Sequence, residues 1–224
     1  MRKILVVALS LLMLVLAAGC GEKVETKPEN ESAPPDTQTE ITPDEQVAAE
    51  PSKFLVVYFS RPGDNYEVGV IAKGNTEIVA EMIKDKTGAD MFQIMPVTPY
   101  PEDYRECTEI AKQEQAENRR PAIGALVDNI SQYDTIFLGY PIWWGDFPMA
   151  VYTFLENQPE LNSKTIIPFC TSAGEYMTGK ENNIPEISRG ATVREGIGIK
   201  GKDCQDHPEQ VREKVNAWLT GLGY

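Results

Sequence analysis

The chain is short of the residues on which much chemistry at neutral pH relies. Histidine occurs once, as His207. It precedes a proline at a helix start and reads as a surface or capping residue. A Ser-His-Asp hydrolase would have to use it, and no nucleophile elbow is present. The four cysteines form no CxxC and no Cys/His cluster, which argues against a zinc or iron–sulfur site. Basic residues are scarce: 21 Lys and Arg stand against 34 Asp and Glu, a net charge of -13. Nucleic-acid binding needs a basic patch to neutralise phosphates, so that class is set aside. Long apolar runs are missing too. The run Ile4–Ala18 has 15 residues, whereas a spanning helix needs about 20.

That run has the size of a signal-peptide core, and it follows the basic start Met1-Arg2-Lys3. It ends in "LAAGC", Leu16 to Cys20, which resembles the lipobox of bacterial lipoproteins. Ala17 stands where Leu is more usual. The resemblance implies cleavage of residues 1–19, two acyl chains on Cys20, and a mature protein anchored on the extracytoplasmic side of the cell membrane. Two chains give a stable anchor where one is marginal. An ordinary secretory signal or an uncleaved anchor helix is the plainer reading. Residues 21–51 are rich in Glu, Pro, Thr and Ser, with nine acids against Lys23 and Lys27. Such a stretch cannot bury enough to offset its ordering entropy, so 20–51 is expected to be a lipidated cysteine followed by a disordered tether with a reach of about 30 Å. Its acids would hold the domain off an anionic surface.

Residues 52–224 have the pattern of a folded domain. "KFLVVYFS" (53–60) is a continuous apolar run, the mark of a strand covered on both faces. "GNTEIVAEMIKDKTG" (74–88) has helical periodicity, with an N-cap signal at Asn75 and Thr76 and Gly88 suited to stop it. "ADMFQIMP" (89–96), "DTIFLGY" (134–140) and "KTIIPFC" (164–170) follow as strands, and 190–201 holds a fifth. Helices are expected over 101–120, 147–157 and 207–223. Strands alternating with helices predict an α/β three-layer sandwich with a five-stranded parallel sheet of order 2-1-3-4-5. In that order ligands bind beyond the C-terminal strand ends, between strands 1 and 3. Of Cys107, Cys170 and Cys204, any two could form one disulfide outside the cell; buried thiols are the plainer reading.

Three segments follow strand ends at that rim. Ser60 to Thr76 offers a hydroxyl, a glycine turn and an Asn-Thr pair at a helix start, an anion cradle. "PIWWG", Pro141 to Gly145, puts two tryptophans side by side between Pro and Gly, although two adjacent indoles cannot both enter one core. "TSAGE", Thr171 to Glu175, offers small residues whose N–H groups can approach a ligand edge. A phosphate site, an aromatic platform and a hydrogen-bonding edge together are what flavin mononucleotide (FMN) requires. Taken singly, each has a plain structural reading as a turn, a core tryptophan or a loop.

The ordered strings "YFSR", "GNTE", "YPIWWG", "VYTFLE" and "TIIPFCTS" resemble the flavodoxin family, over Lys53 to about Lys202. The resemblance implies a flavodoxin-like fold with non-covalent FMN and redox chemistry at the flavin. Carried over by position, Ser60, Arg61, Asn75 and Thr76 should hold the phosphate. Pro141, Ile142, Trp143, Trp144 and Gly145 should lie beside the ring. Thr171, Ser172, Ala173 and Gly174 should meet its pyrimidine edge, with Glu175 close by. One departure stands out. Simple flavodoxins have a compact T-x-T-G-x-T loop, whereas "YEVGVIAK" (66–73) here separates Gly63 from Gly74 and brings Asp64 and Glu67 near the phosphate position. The expected role is electron transfer between an unidentified donor and acceptor. The run P-x-x-W-x-x-x-P, Pro141 to Pro148, is similar to flavin-dependent quinone reductases and keeps a reductase open. A binding module that has lost FMN is a third reading. Tyr100 and Tyr104 could reach over the site, with surface helix packing the plainer reading. Cys170, beside the ring position, could tune the flavin, with buried packing the plainer reading; Trp218 is expected in the core.

Overall fold

The strand Lys53–Tyr58 (β1) shows why the sheet is central. Its residues alternate between two apolar surfaces: Leu55 and Val57 enter one core, Val56 and Tyr58 the other. Such burial on both faces is possible only between two layers of helices. The computed structural model describes residues 53–224; the predicted signal, Cys20 and the tether lie outside the described residues.

From β1 the chain forms a short antiparallel hairpin, Gly63–Asn65 (β2) and Gly69–Ile71 (β3), which the sequence reading missed. The helix Asn75–Thr87 (α1) then returns the chain to Asp90–Gln93 (β4), which pairs in parallel with β1. Next come Tyr104–Ala116 (α2), Tyr133–Pro141 (β5) and Met149–Asn157 (α3). Thr165–Ser172 (β6) and a short helix, Ile184–Ile187 (α4), follow. The chain ends with Thr192–Val193 (β7), Ile197–Lys200 (β8), Gly201–Asp206 (α5) and Pro208–Leu222 (α6). The parallel sheet runs β4-β1-β5-β6, with β7 and β8 both pairing with β6 at the far edge. Counting that edge as one position gives the expected order.

The expected fifth strand is therefore broken in two, and Pro168 supplies a reason. The Ile166 carbonyl accepts the Arg194 N–H at 3.0 Å on that side. Pro168, two residues on, faces the same way but has no N–H to donate. Between the pairs Ile166–Val193 and Phe169–Ile197, two β6 residues oppose three on the edge, a bulge. Helix ends also fall inside their expected bounds. α2 starts at Tyr104 because the Asp103 side chain accepts the Glu106 N–H at 2.9 Å.

One face of the sheet packs on Ala150, Val151, Phe154 and Leu155 of α3. The other packs on Val79, Met82 and Ile83 of α1 and on Val211, Val215 and Leu219 of α6, with Trp218 partly buried beside them. Phe54 and Phe137 hold the ring of the last residue, Tyr224, edge-on at 5.2 and 5.4 Å. Both layers leave the C-terminal ends of β1, β5 and β6 open, and the site is there.

Candidate functional site

A cleft of about 480 Å³ lies at those strand ends. Ser60, two residues past β1, reaches to the start of α1, where its hydroxyl accepts the Glu77 N–H at 3.1 Å. It caps the helix from outside because the N-cap position is Gly74, which has no side chain to do so. A Cβ on Gly74 would sit 2.2 Å from the Ser60 hydroxyl and 2.7 Å from the Arg61 carbonyl. With Glu77 satisfied, the N–H groups of Asn75 and Thr76 remain at the cleft with no carbonyl a turn earlier to reach. The Asn75 side-chain oxygen accepts from Gln205 of α5 at 2.8 Å. The Thr76 hydroxyl lies 2.8 Å from that of Thr171, tying α1 to the end of β6. Gly201 and Lys202, at the start of α5, complete this end.

Arg61 also lines the cleft, but its guanidinium is engaged by protein. It donates to the Pro101 carbonyl at 2.8 Å, the Glu102 carbonyl at 3.0 Å and the Asp64 carbonyl. The insert that separates Gly63 from Gly74 is the β2–β3 hairpin. Its turn brings Asn65, Tyr66, Glu67 and Val68 to the cleft wall. The Asp64 backbone serves the hairpin, while Glu67 lies on the wall.

The double-tryptophan segment is a tight turn. Ile142 donates its N–H to the Thr171 carbonyl at 2.9 Å, and Trp143 and Asp146 exchange two backbone hydrogen bonds of 3.0 Å each. The two residues between them, Trp144 and Gly145, have φ of 50° and 74°, the positive values that a type I′ turn requires. This sends the indoles apart. Trp143 turns inward, edge-on to Phe59 at 5.3 Å and to Tyr100 at 4.9 Å. Trp144 is 51% exposed; its indole N–H donates to the Thr108 carbonyl at 3.0 Å and the Lys112 ammonium lies 5.2 Å from its ring. Both line the cleft, with Pro141, Ile142 and Gly145.

Of the third segment, Thr171, Ser172 and Ala173 line the cleft, whereas Gly174 and Glu175 are outside the lining. The Ser172 hydroxyl donates to the Gly174 carbonyl at 2.9 Å and accepts its N–H at 3.1 Å. Glu175 turns to α6, where it pairs with Lys214 at 2.5 Å.

Sequence reasoning missed Tyr66 and Tyr176 in the outer wall. Tyr66 and Tyr104 face each other with centroids 5.9 Å apart, and Tyr176 stands at the rim. Tyr104 takes the alternative that the sequence left open, over the site and not on the outer surface of α2. Burial, aided by Tyr66, raises the Tyr104 pKa, and burial likewise pushes up the Cys107 thiol behind it. Tyr100 serves from the second row, donating its hydroxyl to Glu114 at 2.6 Å behind Trp143. Cys170 is fully buried, and burial moves its thiol up to about 12. The three described cysteines are all free. His207 is exposed at the α5–α6 junction. Among the described residues no cluster of His, Cys, Asp or Glu is arranged to hold a metal ion.

Residues 53–218 match the model of a family described as Flavodoxin. No curated protein matches the chain. Among solved structures, a protein from Bacteroides eggerthii assigned to the flavoproteins is 29% identical over 77% of this chain and 99% of its own, with a TM-score of 0.60. Another so assigned, from Bacteroides uniformis, is 26% identical over 75% of this chain and 98% of its own, also at 0.60. A flavoprotein from Lactobacillus acidophilus, solved in complex with FMN, shares the fold at 21% identity, covering 69% of this chain and 97% of its own, with a TM-score of 0.52.

Proposed function

The chain belongs to the flavodoxin family, and on that premise we propose that it binds FMN in the strand-end cleft and carries electrons from a donor to an acceptor. The observation that carries this reading is the convergence of three loops at the switch point between β1 and β5. Family membership supports the cofactor, as does the shared fold of the FMN-bound Lactobacillus acidophilus protein.

The donor set fits FMN. At one end, the N–H groups of Asn75 and Thr76 and the α1 dipole suit a phosphate, with Lys202 beside them, its ammonium also paired with Asp206 at 3.1 Å. At the other, Trp143 and Trp144 offer apolar faces while the Thr171–Ala173 loop offers polar groups to a ring edge. FMN bound there would supply one- and two-electron redox chemistry. The chain's part is to orient the ring, exclude water with the Trp and Tyr side chains, and set the charge around the ring edge. Of the groups lining the cleft, Tyr104 and Cys107 both hold their protons more tightly than usual, chiefly through burial. A reductase of quinones or similar acceptors is the second reading, favoured by the extension of the cleft along the hairpin and α2.

The carrier is further proposed to sit outside the cytoplasmic membrane, anchored through acyl chains on Cys20 and held clear by its acidic tether. Among the described residues no helix is long and apolar enough to cross a membrane.

The deciding experiment is an absorbance spectrum of the purified full chain after adding FMN and dialysing. Retained flavin bands are expected; a colourless protein would overturn the reading and leave a binding module. Steady oxidation of NADH or NADPH with a quinone would favour the reductase. For the anchor, labelled fatty acid should enter the wild type and not Cys20→Ser, and label in neither would overturn lipidation.

A further inference from the structure

We propose that Arg61 is a positioning residue: it fixes the β2–β3 hairpin as the outer wall of the cleft and does not hold the phosphate. The inference rests on the FMN reading for its ligand, but its geometry lies wholly within the chain.

Arg61 follows β1, and its guanidinium spans two pieces of chain that are distant in sequence. One is the hairpin, through the Asp64 carbonyl; the other is the approach to α2, through the carbonyls of Pro101 at 2.8 Å and Glu102 at 3.0 Å. A guanidinium carries five N–H donors in a rigid fork, and Nη1 and Nη2 are both used here. The same seam is closed by the Asp64 N–H, which donates to the Glu102 carbonyl at 2.9 Å. Gly63 is cut to fit it. At φ +88° its backbone is in a region that side chains rarely adopt, and a Cβ would lie 3.0 Å from the Arg61 guanidinium and 3.0 Å from the Glu102 backbone.

The seam determines where the two tyrosines stand. Tyr66 is two residues beyond Asp64, and Tyr104 is two residues beyond Glu102. Their rings meet at 5.9 Å with planes 34° apart. Tyr66 is otherwise 56% exposed, and the hairpin has only three residues in each strand, too few to hold a position unaided. Without the clasp, the wall that carries Tyr66 would have to be ordered when the ligand binds. The clasp therefore acts on affinity through pre-organisation of the wall. A phosphate contact would act only on ligands that carry a phosphate.

That difference gives the test. FMN and riboflavin, which lacks the phosphate, are titrated into the full chain by quenching of flavin fluorescence, for wild type, Arg61→Gln, Arg61→Lys and Gly63→Ala. Arg61→Gln should weaken both flavins by the same factor, roughly tenfold, as expected when an ordering cost is restored. Arg61→Lys, with one compact ammonium, should recover part of the loss. Gly63→Ala leaves Arg61 in place but crowds the seam, and should give the same equal weakening. Loss of FMN binding with riboflavin unchanged would overturn the proposal and return Arg61 to the phosphate; so would unchanged affinity for both. Amide hydrogen exchange on the flavin-free protein keeps the two readings apart. Faster exchange over residues 64–71 in Arg61→Gln, with α1 unchanged, is expected even if the wild type binds neither flavin. Unchanged exchange would overturn the clasp on its own.

Discussion

Trp143 and Trp144 are adjacent in sequence and opposite in role: the first is locked edge-on between Phe59 and Tyr100, the second lies half in solvent with its N–H on the Thr108 carbonyl. Replacing each by Ala should separate the ring that the fold needs from the one that serves binding alone. Trp143→Ala removes a half-buried ring that packs against the core and also lines the cleft. It should lower both Tm and FMN affinity, with a stability cost below that of a fully buried aromatic, about 3–5 kcal/mol. Trp144→Ala should barely move Tm but weaken FMN by about 0.5–1.5 kcal/mol, the scale of an aromatic stack. Wild-type affinity in Trp144→Ala would show that its ring takes no part.

Trp144 also occupies a strained position, φ 50° in a turn that favours Asn or Gly. Trp144→Asn should therefore raise stability by about 1 kcal/mol, the lower end of the cost of such a conformation, while lowering FMN affinity. Opposite signs in chemical denaturation and flavin titration are the expected signature. A loss in both would mean that the indole's contact with Thr108 outweighs the strain.

Gly74→Ala would force a methyl against Ser60 and the Arg61 backbone, at distances no Cβ tolerates. The first turn of α1 must shift, so FMN binding should be lost and stability should drop by about 1–3 kcal/mol, as for other overpacked sites. An Ala variant with native affinity would remove the α1 start from the phosphate site.

Thr76 and Thr171 are 1% and 3% exposed, and their hydroxyls have each other as partners. Thr76→Val leaves the Thr171 hydroxyl unpaired and should cost about 1–3 kcal/mol. The double variant Thr76→Val/Thr171→Val should cost less than the two single costs added. Strict additivity in denaturation would mean that the two hydroxyls do not depend on each other.

Burial holds the protons of Cys170 and Cys204, with both thiols moved up to about 12. An unfolded thiol ionises near about 8.5, so between these values the folded state binds more protons than the unfolded. This contribution to stability is fully present below about pH 8.5 and falls with rising pH, by about 1.4 kcal/mol per unit and thiol. Cys204→Ala should flatten the alkaline loss of stability, measured by denaturation from pH 8 to 11, a range set by those values (about 8.5 upward). A slope equal to wild type would contradict the assignment.

The apolar run 53–60, the alternation of strands and helices, and the position of the Trp-Trp turn are all legible in the sequence, because each depends on local periodicity or on residues within a few positions. These determined the order of the five main sheet positions and which loops meet at the rim. Three things required tertiary structure. The edge strand broke because Pro168, on a neighbouring strand, withholds an N–H. The insert became a wall because Arg61 found carbonyls some forty residues away, at Pro101 and Glu102. Glu175 turned from the cleft because Lys214 lies on a helix packed beside it. Sequence spacing states which groups are available; which of them are already engaged is decided only when distant segments meet, since a group whose hydrogen-bonding capacity is used within the chain has less left to offer a ligand.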